Sequence, residues 1–86
     1  MEIKNALITG AASGMGKISA KRLAADGNHV AAVDVNEENL NQLKQESNNI
    51  STFHCDLADA NAVKEMVNEV HTQIGPIDSC LLYTSP

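Results

Sequence analysis

The sequence is short of basic residues, of cysteine and of long apolar runs. Six Lys and Arg against eleven Asp and Glu give its 86 residues a formal net charge of −5. No basic run is present to contact a nucleic acid or an anionic membrane. Two cysteines make no disulfide framework, which favours a reducing, cytoplasmic location. No apolar run approaches the roughly eighteen residues of a membrane span. Residues 1–5 are expected to lead directly into a strand, with no room for a signal peptide. These absences leave at most one small acidic domain, without nucleic-acid or membrane partners.

Short apolar runs and helical periodicities alternate along the chain. The runs predict strands over residues 3–9, 29–35 and 50–57 and from residue 77 onward. The periodic segments between them predict three helices, which follow Gly16, Asn36 and Asp59 and end near Gly27, Asn48 and Ile74. Strands that alternate with helices through short connections are parallel, with right-handed crossovers. The predicted fold class is therefore α/β, with the order β-α-β-α-β-α-β and the architecture of the first half of a doubly wound parallel sheet.

Three glycines follow the first predicted strand and open the first predicted helix. Gly10 is expected to make the turn, Gly14 to let a ligand approach the backbone, and Gly16 to let the helix pack closely on the sheet. The unpaired N–H groups at the start of such a helix attract a pyrophosphate. Asp34 stands twenty positions beyond Gly14, where the second strand ends. This combination is typical of a dinucleotide-binding site.

The spacing Thr9-Gly10-x-x-x-Gly14-x-Gly16 resembles the cofactor motif of the short-chain dehydrogenases/reductases. The resemblance runs from residue 7 to residue 78 and includes Asp34, Cys55-Asp56-Leu57 and Gly75-Pro76-Ile77-Asp78. It implies a partial Rossmann-type dinucleotide-binding domain over residues 1–78. It also implies an NAD(P)-dependent oxidoreductase that interconverts a small-molecule alcohol and a carbonyl by hydride transfer. The full-length parent is expected to be a homo-oligomer, whereas the 86-residue chain alone is expected to be inactive.

The resemblance assigns cofactor contacts to eight residues of the chain: Gly10, Ser13, Gly14, Met15, Gly16, Asp34, Asp56 and Leu57. Met15 is expected to donate its backbone N–H to the phosphates while its side chain lies in the core. Asp34 would accept hydrogen bonds from both adenosine ribose hydroxyls and would repel a 2′-phosphate, so NAD is favoured over NADP. Ser13 agrees, because family members that use NADP often carry a basic residue within this turn. The alternative for Asp34 is a solvated aspartate at a strand end.

Asp56 and Leu57 follow the third strand, as Asp34 follows the second. By resemblance, the Asp56 side chain would accept from the adenine amino group and the Leu57 backbone would contact the ring. Alternatively, Asp56 only starts a turn before the next helix. His54, Cys55 and His71 are possible metal ligands, but adjacent strand residues point to opposite faces. No spacing resembles a zinc pattern, so no metal site is predicted.

The family's catalytic tyrosine, the lysine four residues after it and a serine all lie in the second half of the fold. Tyr83 is the only tyrosine of this chain, and no catalytic residue is assigned. Residues 79–86 depart from the Asn-Asn-Ala-Gly turn of the family and resemble a translated sequencing adapter; alternatively, residues 80–83 form a divergent fourth strand. Two other functions remain open: a non-catalytic dinucleotide-binding module, or an inert fragment.

Overall fold

The computed structural model describes residues 4–12 and 14–81, without the side chain of Leu81. Four strands and three helices alternate along this part of the chain. They are β1 (Asn5–Thr9), α1 (Gly14–Ala25), β2 (His29–Asp34), α2 (Glu37–Glu46), β3 (Ile50–His54), α3 (Ala60–Gln73) and β4 (Ser79–Leu81). The predicted order of elements is confirmed.

All strand pairings within the described residues are parallel, and the strand order is β3-β2-β1-β4. Leu7 pairs with Ala31, and Val33 pairs with Phe53. The connection from β3 to β4 crosses from one edge of the sheet to the other, whereas the first two connections join neighbouring strands. This arrangement confirms the α/β class and the parallel sheet predicted from the alternation.

Helices cover both faces of the sheet. On one face, buried side chains of β1, β2 and β3 pack against α1 and α2, and on the other face against α3 alone. Leu40 and Leu43 are the buried residues of α2, and Met66 and Val70 are those of α3. Because side chains of a strand alternate between faces, Ile8 belongs to the first cluster and Leu7 to the second. Strands covered on both faces are apolar throughout, which explains the unbroken apolar run of β2.

The predicted helix starts are confirmed by their capping hydrogen bonds. The Asn36 side chain accepts from the backbone N–H of Asn39 at 3.0 Å. The Asp59 carboxylate accepts from the N–H groups of Asn61 and Ala62 at 3.0 and 3.2 Å. Such caps satisfy N–H groups that have no partner inside the helix. The two caps therefore determine the residues at which α2 and α3 begin.

The strands are shorter than their apolar runs predicted. β3 ends at His54 instead of Leu57, because the Asp56 side chain closes a turn by accepting from the Ala58 N–H at 2.9 Å. β4 begins at Ser79 instead of Ile77. The residue before it, Asp78, accepts from the Asn5 N–H through its carboxylate and donates its own N–H to the Asn5 carbonyl, both at 2.8 Å. These two hydrogen bonds hold Asp78 beside the start of β1, and residues 79–81 then pair with β1.

The longest helix in the described ranges has 14 residues. No helix there combines the length and the apolar character needed to cross a membrane.

Candidate dinucleotide-binding site

A glycine-rich turn leaves the carboxyl end of β1 and leads into α1. Gly10 and Gly14 have φ values of 64° and 58°, in the left-handed region that residues with a Cβ rarely adopt. Apart from its chain neighbours and the backbone of its own helix, no atom of the described residues lies within 4 Å of the position that a Cβ of Gly14 would take. The backbone at Gly14 is therefore open to a ligand, and the first N–H groups of α1 begin at this point.

Gly16 is buried in the first turn of α1 and lies directly against the turn. A Cβ on Gly16 would collide with the Gly10 carbonyl oxygen and would lie 2.7 Å from the Gly10 carbonyl carbon and 3.2 Å from the Ala11 Cα. All three atoms belong to the backbone. The close approach expected of Gly16 is thus present, and its partner is the turn at the end of β1.

Asp34, at the end of β2, connects the turn to the neighbouring strand. Its carboxylate is half-buried, and Oδ2 accepts from the Ala12 N–H at 2.9 Å while Oδ1 accepts from the Asn36 N–H at 3.0 Å. The Ala11 N–H donates to the Val33 carbonyl at 3.2 Å. Two successive amides of the turn are therefore held by the end of β2. The sequence motif gave no signal of the bond between Asp34 and Ala12, since the motif spacing describes ligand contacts and not contacts within the protein.

Asp56 and Leu57 follow the end of β3, at the same edge of the sheet as Asp34. Asp34 pairs with His54 in the strand register, so the two acidic residues leave neighbouring strands. Asp56 is exposed, and its carbonyl accepts from the Asp59 N–H at 3.0 Å in addition to the side-chain bond to Ala58. Leu57 is 48 % exposed. The turn considered as an alternative for Asp56 is present, and it leaves the carboxylate at the surface of this edge.

The expectation that the Met15 side chain lies in the core is wrong. Met15 is the second residue of α1 and is 63 % exposed, because α1 turns Gly16, Ala20 and Ala24 toward the sheet. Val35, which follows β2, is also exposed. Apolar side chains of Met15, Val35 and Leu57 therefore lie at the surface of the three segments that follow β1, β2 and β3. Ser13, the remaining predicted contact, lies outside the described residues.

Residues 4–82 match the sequence profile of the family described as short chain dehydrogenase. The chain belongs to the short chain dehydrogenase family. Among curated relatives, it is 42% identical over 82 residues to 2,3-dihydro-2,3-dihydroxybenzoate dehydrogenase of Bacillus subtilis, covering 91% of this chain and 31% of the relative. It is 40% identical over 79 residues to fatty acyl-CoA reductase of Acinetobacter baylyi, covering 87% of this chain and 27% of the relative. The chain thus spans about a third or less of the length of these relatives.

Solved structures agree with this assignment. A short chain dehydrogenase from Bacillus anthracis superposes with a TM-score of 0.89 at 29% identity, over 95% of this chain and 35% of that one. The F189W variant of actinorhodin polyketide ketoreductase, whose structure contains NADPH, superposes with a TM-score of 0.92 at 27% identity, over 98% of this chain and 34% of that one. The four-stranded sheet and its helices are therefore a portion of the short chain dehydrogenase fold.

Cys55 is buried between the ends of β3 and α3, within the short chain dehydrogenase core. Burial raises the pKa of its thiol, and the nearby carboxylates of Asp56 and Asp59 raise it further. Since the thiolate is the reactive form, this cysteine is poorly suited to nucleophilic chemistry or metal binding at neutral pH. No three His, Cys, Asp or Glu side chains come together as a metal site within residues 4–12 and 14–81. His54 is exposed while Cys55 is buried, as expected for neighbours on opposite faces.

None of the described residues was predicted to correspond to the catalytic tyrosine, lysine or serine of the short chain dehydrogenases. Ser79 is the first residue of β4 and is exposed. Tyr83 and Ser85 lie outside the described residues. Residues 79–81 pair with β1, whereas the predicted boundary between a domain over 1–78 and a tail over 79–86 stays a prediction.

Proposed function

We propose that the chain is the cofactor-binding portion of an NAD-dependent short chain dehydrogenase, an oxidoreductase that interconverts an alcohol and a carbonyl. The observation that carries this proposal is the joining of the glycine-rich turn to the Asp34 carboxylate at the carboxyl edge of a parallel sheet. Ligands of open α/β sheets bind outside this edge. Bound there, a nicotinamide dinucleotide supplies hydride transfer; the chain supplies its binding and orientation.

The proposed pyrophosphate position is over Gly14. The space above Gly14 is open, and α1 begins at this residue, so the backbone N–H groups of Gly14 and Met15 lack partners within the helix. The positive end of the helix dipole adds to their attraction for an anion. Gly10 and Gly16 shape the turn, and Ser13 would complete it. These residues would hold phosphate through backbone groups alone.

Asp34 supports a preference for NAD over NADP. A half-buried carboxylate at the end of β2 is suited to accept from ribose hydroxyls. Each unit of negative charge on a 2′-phosphate about 4 Å from it would be repelled by roughly 1 kcal/mol in a water-like medium and by about 4 kcal/mol near a protein surface. The actinorhodin ketoreductase structure contains NADPH, so both cofactors remain relevant to the family. The preference proposed for this chain depends on its own Asp34.

Asp56 and Leu57 are proposed to contact the adenine. The exposed Asp56 carboxylate would accept from an exocyclic amino group, and the half-exposed Leu57 would offer its backbone and an apolar surface to the ring. A mostly apolar surface with a few polar groups is usual for a cofactor site. Exposed Val35 and Leu57 would then lose contact with water when the adenosine binds.

The test is a titration of the full chain with NAD⁺ and NADP⁺ by isothermal calorimetry. We expect NAD⁺ to bind at least about tenfold more tightly, which corresponds to 1.4 kcal/mol. Gly14→Asn should abolish binding, because asparagine tolerates a left-handed backbone and its side chain would fill the phosphate position. Gly27→Asn is the matched control, since Gly27 also has a positive φ and open surroundings but lies at the other end of α1.

Equal affinity for the two cofactors would reject the NAD preference while keeping the dinucleotide site. Absence of binding to either one would favour the inert-fragment alternative. The choice between an enzyme and a non-catalytic dinucleotide-binding module depends on the gene beyond the codon for Asp78. A downstream serine and a Tyr-x-x-x-Lys sequence would support the alcohol/carbonyl oxidoreductase, a cytoplasmic homo-oligomer by family resemblance; their absence would support the binding module.

A further inference from the structure

We propose that Asp34 is a positioning residue for the glycine-rich turn, which it holds in its binding shape before any dinucleotide arrives. This role goes beyond ribose recognition. It rests on the proposed function only for its consequence on cofactor affinity, because the contact that carries it lies entirely within the protein.

Two hydrogen bonds join the described residues of the turn, 10–12 and 14, to the end of β2. The Ala11 N–H donates to the Val33 carbonyl at 3.2 Å, and the Ala12 N–H donates to Asp34 Oδ2 at 2.9 Å. Bonds between backbone groups form whatever the side chains are. The hydrogen bond from the Ala12 N–H, in contrast, requires a side chain at position 34 that ends in an acceptor oxygen and is long enough to reach the turn.

Loss of the Asp34 carboxylate would leave the Ala12 N–H without its hydrogen-bond acceptor at a buried position. Ala12 is only 3 % exposed, so water has little access to its N–H group. A buried donor without an acceptor is unfavourable, and a hydrogen bond to a carboxylate is stronger than one to a neutral group. The turn would therefore rearrange to bring the Ala12 N–H to water, and the neighbouring Gly14 backbone would move with it.

The second carboxylate oxygen fixes the orientation of the first. Asp34 Oδ1 accepts from the Asn36 N–H at 3.0 Å, just before α2, whose N-cap is the Asn36 side chain. With one oxygen held by the start of α2, the other is directed at the turn. Each carboxylate oxygen has two lone pairs, so Asp34 can accept from ribose hydroxyls without releasing Ala12.

This dual role has a consequence for cofactor specificity. Replacing Asp34 by alanine removes the repulsion of a 2′-phosphate, and by that effect alone should improve NADP⁺ binding. It also releases the turn that binds the phosphates of both dinucleotides. We therefore expect Asp34→Ala to lose NAD⁺ affinity without gaining NADP⁺ affinity that approaches the NAD⁺ affinity of the unmodified chain.

The decisive experiment measures amide hydrogen exchange by NMR on the ¹⁵N-labelled full chain, at low protein concentration, with trimethylamine oxide to stabilise the fold and without any nucleotide. In Asp34→Ala, the Ala12 amide should exchange at least about tenfold faster relative to the Ala32 amide of the core, which reports global unfolding. Asp34→Asn, which keeps one acceptor oxygen, should give an intermediate rate and preserves the fold if the alanine variant does not. Asp56→Ala is the matched control: it removes another strand-end carboxylate, which bonds the Ala58 amide, and should leave Ala12 unchanged.

An Ala12 amide that exchanges at the same relative rate in all four proteins would overturn the proposal. Because these samples contain no nucleotide, a failure of dinucleotide binding would not alter this result. In calorimetric titrations, an Asp34→Ala variant that binds NADP⁺ as tightly as the unmodified chain binds NAD⁺ would also overturn it, since the turn would then be independent of Asp34.

Discussion

Replacing Gly16 by alanine should destabilise the chain, although alanine is the better helix former. The added Cβ would lie 2.7 Å from the Gly10 carbonyl carbon, whereas carbon atoms pack favourably at about 3.5–4.0 Å. The shortfall is close to 1 Å, and the neighbours are backbone atoms that cannot rotate away. Overpacking of this kind costs about 1–3 kcal/mol, and a shift of backbone belongs at the upper end. The helix gains about 0.8–1.0 kcal/mol when glycine is replaced by alanine.

The net expected loss in the free energy of unfolding is about 2 kcal/mol. For a domain of this size, that loss lowers the melting temperature by roughly 8–16 °C. Thermal unfolding followed by circular dichroism measures it, with trimethylamine oxide present in every sample to strengthen burial and stabilise the starting protein. A Gly16→Ala variant that melts at or above the temperature of the unmodified chain would refute the reasoning.

A comparison with Gly14 separates a steric cause from a backbone cause. At Gly14 a Cβ meets no atom within 4 Å, but φ is 58°, so alanine costs about 1–2 kcal/mol of left-handed strain. Asparagine tolerates that conformation and should recover most of the loss at position 14. At position 16 asparagine should be no better than alanine, because its Cβ meets the same Gly10 backbone. Equal recovery at both positions would contradict the structure.

Three further results are expected. Asp59→Ala removes the N-cap of α3 and should lower the free energy of unfolding by about 1 kcal/mol, or the melting temperature by roughly 4–8 °C. Asp59→Asn should retain most of the stability, and equal melting temperatures for all three proteins would show that the cap does not stabilise the fold. The exposed Cys80 should react with a thiol reagent at pH 7–8 well before the buried Cys55, whose raised pKa keeps it in the unreactive thiol form. Cys80→Ser should remove only the fast phase of the reaction, and equal reaction rates for the two cysteines would contradict the burial of Cys55. Without trimethylamine oxide, the 86-residue chain should unfold gradually and aggregate as its concentration rises, since one face of the sheet is covered by a single helix and β4 pairs with β1 alone. A sharp, concentration-independent melt in plain buffer would disprove this.

The order of elements was predictable because each is encoded locally. The apolar run of β2 and the caps at Asn36 and Asp59 lie within a few residues of the structure that they determine. Met66 and Val70, the buried residues of α3, likewise stand four positions apart, at helical spacing, although Val67 between them is 37% exposed. Local patterns of this kind depend on the periodicity of side chains along one element, and they hold whatever the rest of the chain does.

The strand ends and the attachment of the turn were not predictable in the same way. β4 starts late because Asp78 is clasped to Asn5, a residue 73 positions away. The bond from the Ala12 N–H to Asp34 spans 22 positions. A carboxylate that bonds a distant backbone amide leaves no periodic trace in the sequence. Such bonds become visible only when the strands are brought side by side.

Carboxylates carry out the same task where the chain leaves β2 and β3 at the carboxyl edge of the sheet and where it enters α3. Asp34, Asp56 and Asp59 each accept from backbone N–H groups where the chain leaves a strand or enters a helix. In these bonds, acidic side chains accept from backbone N–H groups that have no partner within a strand or a helix. Asp34 also brings negative charge to the turn that is proposed to bind a pyrophosphate. The proposed attraction for the phosphates comes from the backbone at Gly14 and the start of α1. A site of this kind depends on the exact shape of its turn more than on its charge, which is why Gly16 and Asp34, the two residues that fix that shape, should be the most sensitive positions of the chain.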